Sequence, residues 1–105
     1  MSNQSIILDR IKQTVHDHDP NAKIYLYGSR ARGNAKPDSD WDLLILLNDG
    51  KITLDIERNI TYPLYDLEFE IGEMISPRVY SELEWFSKYT ITPFYANVMR
   101  EGILL

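Results

Sequence analysis

The chain has 105 residues, enough for one domain and too few for a second, substrate-selecting lobe. Hydrophobic residues make up 44% and charged residues 26%, a balance that excludes disorder. A net charge of -5 argues against general nucleic-acid binding, which needs surplus positive charge to displace counterions, and the lack of cysteine excludes disulfides, thiol catalysis and Cys-ligated zinc. No apolar run approaches the roughly 18–20 residues that span a bilayer, so no membrane role is expected. The first ten residues lack the basic start and small-residue cleavage site of a leader, and the expected location is cytoplasmic.

Taken in chain order, Ile7, Ile11 and Val15 repeat at four-residue steps and predict an amphipathic helix over 5–18, stopped by Pro20 and Asn21. Lys23–Tyr27 is short, β-branched and aromatic, and predicts a strand ending at Gly28. Residues 29–35 suit a short helix or turn, and Lys36-Pro37-Asp38-Ser39 is turn chemistry. Trp41–Leu47 is almost wholly apolar, as a central buried strand requires. Asn48-Asp49-Gly50 then turns the chain.

Ile52, Ile56, Ile60, Leu64, Leu67 and Ile71 recur at helical spacing, with Pro63 predicting a kink or two shorter helices and Gly72 a C-terminal cap. A third strand is expected over 74–80, with Pro77 placing it at a sheet edge or bulge. Ser81-Glu82-Leu83-Glu84 is a capping box that opens a helix, Thr92-Pro93 opens another, and Gly102 ends it. The fold class expected is therefore α/β, in the α+β sense: a small mixed sheet flanked by helices, forming a single domain over 1–105.

The stretch that carries chemistry is Gly28-Ser29, ten further residues, and Asp40-Trp41-Asp42. Alternate residues of a strand share a face, so Asp40 and Asp42 point one way and Trp41 the other. Neighbouring carboxylates repel unless a cation lies between them, and hard oxygen ligands without His or Cys suit Mg²⁺ or Mn²⁺. Gly28 lets a phosphate approach the backbone, while the Ser29 hydroxyl and the N–H groups of a helix start bind phosphate oxygens. Arg30 and Arg32 flank the turn and can add charge-assisted hydrogen bonds. A phosphate cradle beside a carboxylate-held metal is equipment for phosphoryl or nucleotidyl transfer.

Gly28-Ser29-x10-Asp40-x-Asp42, with Arg30, Arg32 and Gly33 between, resembles the signature of the minimal nucleotidyltransferases of the DNA-polymerase-β-like superfamily. The resemblance is sharp from Tyr25 to Leu47 and looser at Arg100-Glu101-Gly102. It implies a polymerase-β-like core and a Mg²⁺-dependent transferase that uses ATP or another nucleoside triphosphate. By that resemblance Gly28 and Ser29 hold the triphosphate, and Asp40 and Asp42 bind the metal. It also implies a partner protein, since small stand-alone members often act as antitoxins of HEPN-type ribonuclease toxins, some by adding AMP to a toxin tyrosine. The family's third metal carboxylate lies on the strand after the long helix, where this sequence places Met74, which cannot ligate Mg²⁺. Glu73 is expected on the opposite face, and Asp66, Glu68 and Glu70 share a face only if their segment is a strand, which its helical stripe opposes.

The other conspicuous residues have simpler readings. His16 and His18 sit two apart near a helix end and do not converge on one ion. Trp41 and Trp85 suit the core. The tyrosines at 62, 65, 80, 89 and 95 fit packing or an interface. Two functions remain in view: a nucleotidyltransferase whose acceptor is supplied by a partner chain, and a catalytically quiet nucleotide- or protein-binding module that clamps a partner.

Overall fold

A computed structural model describes residues 3–105 and shows a four-stranded mixed sheet with helices on both faces. Helix α1 (Asn3–His18) leads into strand β1 (Lys23–Tyr27), and a short helix α2 (Ser29–Arg32) into strand β2 (Trp41–Leu47). Helix α3 (Leu54–Ile71) precedes strand β3 (Ile75–Ser81), which runs straight into helix α4 (Glu82–Trp85). Helix α5 (Pro93–Glu101) and a two-residue strand β4 (Ile103–Leu104) complete the described chain.

The strand order is β3-β2-β1-β4. Strand β1 is antiparallel to both β2 and β4, and β2 is parallel to β3, with α3 making the crossover that a parallel pair needs. In the centre, β2 buries residues on both sides. Trp41, Leu43, Ile45 and Leu47 pack with Ile7, Ile11 and Val15 of α1 and Ile60, Leu64 and Leu67 of α3. On the other face Leu44 and Leu46 pack with Trp85, Val98 and the rings of Tyr80, Tyr89, Phe94 and Tyr95. Both tryptophans are fully buried, as expected, and Tyr62 and Tyr65 remain exposed.

Two expectations are corrected in detail. Pro63 does not split its segment, because α3 runs unbroken across it. The buried stripe of Ile60, Thr61, Leu64 and Leu67 spans the proline, and the carbonyl that loses its partner belongs to exposed Asn59, where water can satisfy it. Strand β3 is displaced by one residue, to Ile75–Ser81, and leaves Met74 outside it and exposed. Pro77 does lie on an edge strand, as its missing N–H requires. Strand β4 is too short for a sequence pattern to announce.

Candidate active site

The glycine turn after β1 is built for close approach. Gly28 has φ 77° and ψ −158°, a conformation essentially restricted to glycine. A Cβ placed on it would lie 2.3 Å from Asp42 Oδ2, so the missing side chain is what lets the Asp42 carboxylate sit against the turn. The Gly28 carbonyl accepts from the N–H groups of Ala31 and Arg32, which closes one turn of helix behind it. The first N–H groups of such a turn have no carbonyl a turn earlier to bond. Gly33, at φ 79°, ends α2 in the left-handed region.

The register Tyr27↔Asp42 brings the start of β2 directly beside the end of β1. Asp42 shares the face of Leu44 and Leu46, and Asp40 immediately precedes the strand. Asp40 Oδ2 accepts a hydrogen bond of 3.0 Å from the Ser76 hydroxyl of β3. Burial, and then the neighbouring Asp40 charge, push the Asp42 carboxyl above its ordinary value, while Arg32 and Arg78 pull it back and Glu101 adds to the rise. Burial and the Asp42 charge likewise raise the adjacent Tyr27 phenol. Gly28, Ser29, Arg32, Asp40 and Asp42, singled out in the sequence, thus lie together at one end of the two central strands.

Arg30 goes elsewhere. Its guanidinium donates to the Ser39 carbonyl at 2.8 Å, pairs with Glu73 at 3.0 Å and stacks 4.2 Å from the centre of the Trp41 ring. Glu73 also accepts from the Trp41 indole N–H at 3.1 Å, on the face opposite Asp42. Arg30 and Glu73 together staple the 33–40 loop to the core and so fix where β2 begins. Neither Asp66, Glu68 nor Glu70 reaches the site from α3: Asp66 is exposed, Glu68 accepts from the Ile75 N–H, and Glu70 pairs with Arg10. On β3 the residues that share the face of Asp42 are Ser76, Arg78 and Tyr80; Met74 lies before the strand, and its carbonyl accepts from the Trp41 N–H. His16 bonds the Ala22 carbonyl and His18 lies apart from the site.

Two side-by-side carboxylates, one of them partly buried and resisting ionisation, are a donor set suited to a hard divalent cation. Among the described residues no group of three or more His, Cys, Asp and Glu side chains is placed to hold a metal ion. A cation at Asp40 and Asp42 would therefore take its remaining ligands from water and from the oxygens of a bound phosphate. Spacing did not point to Glu101. Its Oε2 accepts from the Gly28 N–H at 3.1 Å and from the Arg32 guanidinium at 2.7 Å. The only sequence signal was the looser likeness of Arg100-Glu101-Gly102, since no local rule connects residue 101 with residue 28.

Comparison with known proteins bears on the family and the fold. The profile of the nucleotidyltransferase domain matches residues 8–92. No curated protein matches the chain. Among solved structures, a toxin–antitoxin crystal structure with AMP-PNP superposes with a TM-score of 0.65 at 19% identity, covering 98% of this chain and 72% of that one. A mutant of the MntA–HpeT toxin–antitoxin gives 0.61 at 20% identity, covering 100% of this chain and 72% of that one. A structure described as a minimal nucleotidyltransferase gives 0.61 at 22% identity, covering 99% of this chain and 97% of that one. These likenesses show a shared fold.

Proposed function

Because the chain belongs to the nucleotidyltransferase domain family, we propose that it transfers a nucleoside monophosphate, AMP from ATP, to a hydroxyl group on a partner macromolecule. The acceptor oxygen attacks the α-phosphorus, a new P–O bond forms, and pyrophosphate and the hydroxyl proton depart. Asp40 and Asp42 would hold Mg²⁺ or Mn²⁺, which supplies charge neutralisation and orientation of the phosphates when bound. Gly28 opens the backbone to the triphosphate, the Ser29 hydroxyl donates to it, and Arg32 offsets its charge. Arg30, expected at the phosphates, serves instead as the staple that keeps Asp40 and Asp42 in place.

The observation that carries this reading is the contact of Asp42 with Gly28, where a side chain of any size would collide with the carboxylate. It joins the two halves of the motif into one cleft edge. A protein partner is part of the proposal, supported by the toxin–antitoxin complexes whose fold this chain shares. The toxin–antitoxin complexes of the same fold support an antitoxin role; the HEPN-type toxin as partner and the cytoplasm as setting belong to the proposal through the resemblance of the Gly28–Asp42 motif. Among the described residues no helix is long and apolar enough to cross a membrane.

The test is incubation with Mg²⁺, the product of the neighbouring gene and ATP labelled at the α- or the γ-phosphate. Retention of α-label alone on the partner supports transfer, and its persistence in Asp40→Asn/Asp42→Asn overturns the site. A second reading, a quiet nucleotide-binding clamp, draws on Ser76, Arg78 and Tyr80, the residues on β3 that share the face of Asp42 and supply no further carboxylate. Nucleotide binding without transferred label would favour it.

A further inference from the structure

Glu101 lies 73 positions after Gly28, yet one of its oxygens accepts both from the Gly28 N–H and from the Arg32 guanidinium. Its side chain is only 15% exposed, whereas that of Arg32 is 49% exposed. The pair is therefore asymmetric: a largely buried carboxylate anchors a half-exposed arginine whose charge also acts on Asp42. Arginine carries five N–H donors in a rigid fork, and the Glu101 bond engages one amino group of that fork. The anchor itself is firmly held. Glu101 ends α5, whose Val98 is fully buried, and the Gly102 N–H that follows bonds back to the Val98 carbonyl. Beyond it β4 pairs with β1, the strand that delivers Gly28.

We infer that Glu101 is a positioning residue for polyphosphate: it clamps the Gly28 turn in its glycine-only conformation and aims the free edge of Arg32 at the phosphates. This rests on the reading of the turn as a phosphate cradle and adds that the cradle is completed from the far end of the chain. Without the clamp, Arg32 loses its fixed direction and the Gly28 N–H loses its acceptor. Ordering both then falls on the ligand, which weakens binding.

The experiment is calorimetric titration of the full chain with the magnesium complex of α,β-methylene-ATP, which cannot be cleaved at the reacting bond. Wild type, Glu101→Ala, Glu101→Gln, Arg32→Ala and the Arg32→Ala/Glu101→Ala double variant are compared, with thermal melts alongside. Glu101→Ala is expected to weaken binding about tenfold, the scale of one charge-assisted hydrogen bond. Glu101→Gln, which keeps an acceptor for the Gly28 N–H, is expected to recover part of that loss. In the Arg32→Ala background the effect of Glu101→Ala should shrink to about twofold or less, because residues that act through one another are not additive. A merely structural Glu101 would give equal losses in both backgrounds, and that result overturns the inference. Tighter binding by Glu101→Ala overturns it too, since Glu101 would then be a resident anion competing for the seat. Wild type that binds while the variants bind equally well removes this inference alone. Absence of binding in every form, wild type included, removes the phosphate-cradle reading with it.

Discussion

Replacing Gly28 by alanine tests the geometry where fold and site are one object. The backbone there, at φ 77° and ψ −158°, lies in a region essentially closed to side chains, a strain of about 1–3 kcal/mol. The new methyl would also stand 2.3 Å from Asp42 Oδ2 and 3.2 Å from its Cγ, so the carboxylate must swing away or the turn must open. The lower entropy of an unfolded alanine chain works against folding less, and returns about 0.4–1 kcal/mol where strain is absent. The net expectation is a loss of roughly 1–3 kcal/mol, and each kcal/mol lowers Tm by about 4–8 °C in a domain of this size. Binding of Mn²⁺ and of Mg-ATP should fall together, because the same motion spoils the carboxylate pair and the phosphate turn. Gly33→Ala is the control. Gly33 is left-handed at φ 79°, yet nothing lies within 4 Å of an added Cβ. It should cost about 1–2 kcal/mol and leave ligand binding intact. Thermal melts and titrations of both variants decide the matter. A Gly28→Ala protein with wild-type stability and wild-type affinities refutes the reasoning.

Other expectations follow from the same contacts. Asp42 has a folded pKa raised above its ordinary 3.8, so the native state holds that proton more readily than the unfolded chain. Stability without metal should therefore fall as pH rises from about 3.8 through the raised value, and Asp42→Asn should raise Tm at neutral pH and flatten that dependence in melts across pH. Mg²⁺ or Mn²⁺ should raise the Tm of wild type by mass action and leave Asp40→Asn/Asp42→Asn unmoved in the same assay. Arg30→Ala should cost roughly 2–4 kcal/mol in urea denaturation by leaving Glu73 with the Trp41 indole but no cation and by unstapling the loop, and Arg30→Lys should recover little, because a lysine cannot reproduce the fork and the stack on Trp41.

The legible parts of this chain were those written in local pattern. Period and punctuation placed α1, β1, β2, α5 and the long α3, and the Gly-Ser and Asp-x-Asp spacing named the residues that the sheet then gathers. Misreadings arose where a distant contact outweighed a local rule. Pro63 signals a break, but a continuous buried stripe holds α3 together across it. Arg30 sits in the motif, yet Trp41 and Glu73 draw its guanidinium to the other side of the sheet. Met74 was expected to open β3 but lies just outside it, exposed, and the residue that reaches Asp40 is Ser76, two positions on, a contact no local pattern announces. Glu101 was out of reach because its role exists only once α5 and β4 have packed against β1.

The central claim is that Asp40 and Asp42, held against the Gly28 turn, seat a divalent ion together with a triphosphate. Electron paramagnetic resonance of Mn²⁺ titrated into the protein with α,β-methylene-ATP measures that most directly. The account predicts a protein-bound Mn²⁺ species, distinct from the Mn²⁺–nucleotide complex that forms without protein, strengthened by the nucleotide, broadened by ¹⁷O in its phosphates, and absent in the doubly substituted Asp40→Asn/Asp42→Asn chain. An undiminished bound signal in that variant, or none in wild type, contradicts it.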